Sequence, residues 1–278
     1  DIVGGSESYC RQIATRLADF YDVEILTSKA KDPATWRDEY DADVEVIDGL
    51  TVRRFSVEHE QMVTPGVMEH CFSKSAGLEE GFQWIEKLGP YCPALIEHLK
   101  GNADEYDAII IMTYLYYPAV MAALEFGSKA IMIPTAHDEV QIYQPIYKKA
   151  FENTKRFYFL TPEERSFFEW KFNVPTASMS DGFGGVGVDV PEGVDEEGFR
   201  IAYGLGGAPY ILYAGRIEEA KGCKNLIRSF MEFKGRHPSD LKLALIGKLG
   251  IDLPDRPDIK YLGFLSEEEK FSAMKGAR

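Results

Sequence analysis

Arg216 and Lys221 lie in the run YAGRIEEAKGCKNLIRSF, where an apolar strand pattern ends at Ala214 and a helical pattern opens near Lys221. A guanidinium at a strand tip, an ammonium at a helix entrance and the free N–H groups of the first helical turn make a cluster suited to a diphosphate. Arginine grips such a group in a forked geometry, lysine acts as a point charge, and the helix dipole adds attraction. The competing reading pairs Arg216 with Glu218 or Glu219 and leaves Lys221 solvated. Spacing alone leaves the two readings balanced.

A second candidate is His137 in PTAHDE, just past the apolar run KAIMIP. A histidine there can hydrogen-bond a substrate hydroxyl or carry a proton. No second histidine or cysteine stands at metal-ligand spacing from it, so no metal is expected. Alone, an ordinary histidine in a polar loop is the stronger reading. A third candidate is the opening GGSES. Ser6 reads as a helix N-cap and Glu7 as an acidic match to the helix dipole. Those roles leave the adjacent pair Gly4 and Gly5 unexplained, and glycines there allow a ligand close to the backbone. The run GGVGVDVPEG, with Gly184, Gly185 and Gly187 before Asp189, reads as a linker or as a hinge beside a ligand cleft.

These residues need a scaffold, and the chain reads as alternating strands and helices. After a helix over about 6–20, with Tyr9, Ile13, Leu17 and Tyr21 on one face, comes the strand DVEILTS. VEVIDGLTVRRFSV gives two strands around Asp48-Gly49, a hairpin signal. Residues 58–100 are mostly helical, broken near Gly66, Gly77 and Gly89-Pro90. DAIIIM and KAIMIP are buried strands flanking the helix PAVMAALEF; helix 141–152, strand 156–160 and helix 162–172 follow. A new series runs PYILYAGR, helix 221–237, LKLALIG, IKYLG and helix 266–276. Continuous apolar strands alternating with helices imply parallel sheets covered on both faces, hence an α/β fold. Ligands then sit beyond the carboxyl ends of the strands, which is where His137, Gly215-Arg216 and Gly247-Lys248 fall. The boundary is expected near 190, giving units 1–190 and 191–278.

The 278 residues carry a net charge of −14, and residues 191–278 balance, with 14 basic and 14 acidic side chains. The excess negative charge therefore lies in the first unit, which argues against nucleic acid and against a polybasic attachment to anionic lipid. The four cysteines are scattered, as free thiols in a reducing compartment would be. With free thiols and no apolar run of spanning length, the expected location is cytoplasmic, with a peripheral position at the inner face of the membrane as the variant of that reading. The chain opens at Asp1 without a methionine and is read as a fragment.

In order and spacing, GGSE before the first helix, TAH after a central strand, GVGVD at the crossover, YAGRIEEAKG and YLGFLSEEEKFSAMKGA together resemble family-4 (GT4) retaining glycosyltransferases of the GT-B type. The resemblance covers nearly the whole chain. It implies two Rossmann-like domains facing across a cleft, an N-terminal acceptor side lacking its first strand and a truncated C-terminal donor side. It further implies transfer of a sugar from a nucleotide-diphosphate donor to a glycan, lipid-linked or small-molecule acceptor, with no cofactor or metal. By motif match, Arg216 and Lys221 would hold the diphosphate and stabilise the departing phosphate. Gly5, beside Gly4, would offer its N–H to the same phosphate, His137 would contact the transferred sugar, and Gly215, Gly247 and Leu262 would border the donor, Leu262 near the base. The family's Glu-x7-Glu motif is expected beyond Arg278. Two alternatives stand beside this reading: a degenerate module that binds nucleotide or glycan without turnover, and a nucleotide-sugar epimerase.

Overall fold

The computed structural model describes residues 4–172 and 184–278. The chain divides into two compact units, 1–186 and 187–278. Of the glycine-rich crossover, Ser180, Asp181, Gly182 and Phe183 lie outside the described residues.

Unit 1 opens with helix α1 (Gly5–Leu17), which buries Tyr9 and Ala14. Gly4 is its N-cap, in an extended conformation and without a side-chain cap. Ser6 is thus inside the first turn and does not cap the helix, as the sequence had suggested. The helix also ends before Tyr21, which is 67% exposed and shares no buried face with Tyr9. Strand β1 (Glu24–Ser28) follows, then β2 (Val44–Ile47) and β3 (Leu50–Phe55). β2 and β3 form the expected hairpin, and Asp48 and Gly49 at its tip both take positive φ, as a two-residue primed turn demands. β3 pairs parallel with β1, giving the order β1-β3-β2.

Helices α2 (Pro65–Cys71), α3 (Leu78–Leu88) and α4 (Pro93–Gly101) occupy the segment read as helical. Gly66 lies inside α2 and does not break it, because Pro65 and the side-chain cap of Thr64 start the helix just before it. A second sheet, β4 (Ile109–Met112), β5 (Ala130–Ile133) and β6 (Arg156–Phe157), is parallel throughout, in the order β4-β5-β6. Helices α5 (Tyr117–Phe126), α6 (Pro145–Asn153) and α7 (Pro162–Phe172) pack with it. The expected helix over 141–152 is interrupted: one 3-10 turn (Val140–Tyr143) precedes α6, since Gln144 stands before Pro145 and is held extended. The core of unit 1 runs through Trp84, Ile85, Val120, Ile146, Tyr147, Phe151 and Phe168. Inside it, Trp84 Nε1 donates to Tyr147 Oη at 2.9 Å, and Tyr147 Oη donates to the Leu115 carbonyl at 2.9 Å, so two buried aromatic polar groups are paired.

Unit 2 has one parallel sheet, β7 (Tyr210–Ala214), β8 (Lys242–Ile246) and β9 (Ile259–Tyr261), in that order. Helix α9 (Cys223–Arg236) packs Ile227 and Phe230 on one apolar cluster with Leu243, Leu245 and Ile259. On the other face, α8 (Glu196–Ala202) and α10 (Glu267–Gly276) cover Tyr210 and Ala244. Alternating sides of β8 thus feed the two clusters, the covering on both faces that its apolar sequence requires. Ser266 and Glu269 form a capping box at the start of α10.

Two glycines test the packing. A Cβ on Gly127, at the end of α5, would stand 2.2 Å from the Asn153 carbonyl oxygen, and Asn153 itself donates to the Ala123 and Leu124 carbonyls at 2.7 Å. Gly127→Ala should therefore destabilise unit 1 by about 1–3 kcal/mol, read by urea denaturation. A Cβ on Gly247 (φ 123°) would stand 2.1 Å from the Gly215 carbonyl oxygen. Gly247→Ala should lower the stability of unit 2 by at least about 1 kcal/mol, read in the same way.

Candidate functional site

The candidate residues gather at the carboxyl edges of the two units. In unit 2, β7, β8 and β9 run parallel and each leaves the sheet through a glycine with positive φ: Gly215 (149°), Gly247 (123°) and Gly263 (81°). Their backbones interlock, Gly215 N–H donating to the Ile246 carbonyl at 3.0 Å and Gly247 N–H to the Gly263 carbonyl at 2.8 Å. Sequence reading took Gly215 and Gly247 as ligand-facing; close approach of the two strand ends is by itself enough to require glycine at 247. Leu262, between β9 and Gly263, is half-buried against the cluster that includes Tyr210 and Ala244.

Arg216 follows Gly215 at the tip of β7. Its carbonyl accepts a hydrogen bond from Tyr213 Oη at 2.8 Å, and its side chain is 64% exposed with a guanidinium nitrogen 3.4 Å from Glu218. An exposed pair of that kind holds with little energy, so the guanidinium can exchange Glu218 for a stronger anion. Burial, with Cys223 and Glu218 nearby, pushes the Tyr213 phenol up to about 12, so it stays a neutral donor to that carbonyl. Lys221 ends the 3-10 turn Glu219–Lys221 and is exposed. Among the described residues it has no ion-pair partner, whereas Glu219 is taken by Lys224 at 2.7 Å. Gly222 (φ 75°) is the N-cap of α9, so Lys221 sits at the open N-terminal end of a helix of 14 residues. Arg216 and Lys221 thus border one rim, together with a helix start that has no side-chain cap.

At the carboxyl edge of unit 1, β4 and β5 each pass into a residue in the left-handed region, Thr113 (φ 64°) and Thr135 (φ 51°). Threonine adopts that conformation only under constraint. The Thr113 hydroxyl oxygen is buried without a hydrogen-bond partner among the described residues. His137 lies two residues past Thr135, exposed, and its ring makes no hydrogen bond among the described residues. Beneath it, Glu164 is buried, with one carboxylate oxygen accepting from Ala136 N–H at 2.7 Å and the other from Leu160 N–H at 2.8 Å. Burial pushes the Glu164 carboxyl above the ordinary carboxylate range, against the pull of these two amides and of His137. Tyr114 donates to Glu139 at 2.6 Å, and burial raises the Tyr114 phenol, so it stays protonated.

The start of α1 belongs to the same edge of unit 1. Tyr9 feels the charge of Glu164, and Tyr116, beyond β4, feels both Glu7 of α1 and Glu139. Gly5 has a helical backbone, and a Cβ there would meet nothing within 4 Å; at Gly4 it would meet only the end of the Glu7 side chain. Neither strain nor packing therefore demands either glycine, and the space beside Gly5 is open.

Sequence reasoning missed Glu164, Thr113 and Thr135. Glu164 had a signal, because Thr161-Pro162-Glu163-Glu164 has capping-box spacing and Thr161 Oγ1 does accept the Glu164 N–H at 3.1 Å. The carboxylate does not turn back to Thr161 but reaches the loop after β5, a tertiary contact that local spacing does not reveal.

No family model matches the chain, and no curated protein is significantly similar to it. Among solved structures, the chain is similar to α,α-trehalose 6-phosphate synthase from Burkholderia multivorans, with a TM-score of 0.51 and 14% identity, over 100% of this chain and 74% of that one. It also matches a structure from E. coli described as trehalose-6-phosphate bound with UDP-2-fluoro glucose, with a TM-score of 0.46 and 13% identity, over 90% of this chain and 63% of that one. At such identities the first likeness bears on the fold, and the fold of this chain is α/β of the GT-B type, with Rossmann-like sheets that are parallel except for the β2-β3 hairpin.

Proposed function

We propose that the chain carries the donor and acceptor machinery of a retaining glycosyltransferase of family 4, which moves a sugar from a nucleotide-diphosphate sugar to a glycan, lipid-linked or small-molecule acceptor. The observation that carries this reading is the rim of unit 2. There an exposed, weakly paired Arg216 and an exposed Lys221, without an ion-pair partner among the described residues, stand beside the uncapped start of α9, at the carboxyl edge of a parallel sheet. The GT-B fold is compatible with it.

In this reading Arg216 forks onto the diphosphate, giving up Glu218, and Lys221 adds a point charge. Both act most strongly on the negative charge that grows on the leaving phosphate, so they lower the barrier more than they tighten the ground state. They supply this charge without a metal ion. His137 hydrogen-bonds the transferred sugar, and Gly5 turns a backbone N–H to a phosphate oxygen in the open space beside it. No carboxylate pair of glycosidase type is assigned, and the donor phosphate takes the acceptor proton. Gly247 and Leu262 shape the sugar-nucleotide side of unit 2.

The test uses the full-length protein with a panel of nucleotide sugars, followed by thermal shift and by release of nucleotide diphosphate. Arg216→Ala and Lys221→Ala should each lower turnover at least ~100-fold, as loss of a leaving-group contact does. Near-wild-type turnover in both variants overturns the donor site, and binding without turnover in the wild type identifies a degenerate binding module instead. Gly5→Ala should leave folding stability unchanged or raise it by about 0.4–1 kcal/mol, because its backbone is helical and its surroundings empty. The same variant should weaken donor binding, measured by calorimetry. A variant that binds as the wild type does would remove Gly5 from the site.

A further inference from the structure

Glu164 differs from the other acidic groups at the edge of unit 1. It is 8% exposed, while His137 and Asp138 close by are exposed. Its two oxygens accept from amides of two different loops, Ala136 after β5 and Leu160 after β6, and those strands are neighbours in one sheet. Its own N–H is held by Thr161 Oγ1, so the start of α7 is fixed as well. Ala136 stands between Thr135, whose φ of 51° is unfavourable for a β-branched residue, and His137. The turn that presents the imidazole is therefore constrained from below by one buried carboxylate. Without it, the Ala136 and Leu160 amides would lose their acceptor.

We propose that Glu164 is the positioning residue of this edge: its ionised carboxylate clamps the loops after β5 and β6 and thereby sets the direction of the His137 imidazole. The inference rests on the reading in which His137 meets the transferred sugar. Two acceptor oxygens are needed for two amides, and a protonated carboxyl would turn an O–H against one of them. The groups that face Glu164 are the two amides, His137 on the clamped loop and Tyr9 from α1, whose phenol is raised mainly by burial and stays neutral. Because burial holds the Glu164 carboxyl above the ordinary range, the clamp is complete above that raised pKa. It loosens as pH falls through it, earlier than an exposed glutamate would allow.

The experiment compares wild type, Glu164→Gln and Glu164→Asp in the full-length protein. In the wild type, the Ala136 and Leu160 amide resonances should shift together along one acid titration, that of Glu164. In Glu164→Gln that common step should vanish. With a nucleotide-sugar donor, the wild-type kcat should fall on an acid limb as Glu164 protonates; Glu164→Gln should lower kcat ~10–100-fold, the scale set by misplaced reacting groups, with donor KM within about twofold, and should lose that acid limb. Glu164→Asp, which keeps the charge, should recover part of kcat and the limb. The proposal is overturned if the two amides ignore the Glu164 titration, or if Glu164→Gln keeps the kcat and acid limb of the wild type. The wild-type titration decides even where Glu164→Gln does not fold. Absence of any turnover in the wild type would remove the transferase reading, while the resonances still decide the clamp.

Discussion

A parallel strand must leave its sheet at the carboxyl end, and the backbone groups it exposes there need partners. Most of what is distinctive in this chain is an answer to that constraint. Unit 2 answers with glycine: three strand tips with positive φ close on one another through their own amides and carbonyls. The phenols of Tyr213 and Tyr261 are spent there, on the Arg216 and Gly247 carbonyls, and Arg216 and Lys221 remain exposed at the rim. Unit 1 answers with side chains and constraint. Two threonines take left-handed backbones, and a buried glutamate supplies the acceptors that the turning chain lacks. The first solution leaves charge available to a ligand; the second spends a charge on holding a loop still.

The electrostatics follow the same division. The acidic excess lies in the first unit and says little about any single site, because what a bound phosphate feels is set within a Debye length. At the unit 2 rim stand Arg216, Lys221 and an uncapped helix start, with exposed Lys248 at the next strand end, opposed by Glu218 and by Glu219, which is paired with Lys224. A net charge of −14 is thus compatible with an anion site built from a few placed groups.

The strands and the hairpin were legible because their signals are local: apolar runs for β4, β5, β7 and β8, and Asp48-Gly49 for the turn. What was not legible depended on tertiary contact. Helix α8 was missed because seven residues bury only Phe199 and show no apolar period, although Asp195 caps it in the ordinary way. Ser6 had the right chemistry for a cap, yet the chain enters its helix two residues earlier, at Gly4. Arg216 and Lys221 could be placed at a strand tip and a helix entrance from spacing, but the 3.4 Å approach of Glu218 could not. Glu164 carried a capping signal that concealed a longer reach. The strain at Thr113 and Thr135 leaves no mark in composition, since threonine is common in strands and loops alike.

The buried Trp84 has an optical consequence. All three tryptophans, Trp36, Trp84 and Trp170, belong to unit 1, and unit 2 has none. They sample three depths: Trp84 sealed in the core on Tyr147, Trp36 half-buried edge-on to Tyr116, and Trp170 76% exposed at the end of α7. Emission excited at the red edge of the indole band is therefore a private signal of the acidic unit, blue-shifted from Trp84 and red-shifted from Trp170. Unit 2 is dark in that channel. A tryptophan introduced near α9 would give it a colour of its own, and the two units could then be followed separately in one cuvette.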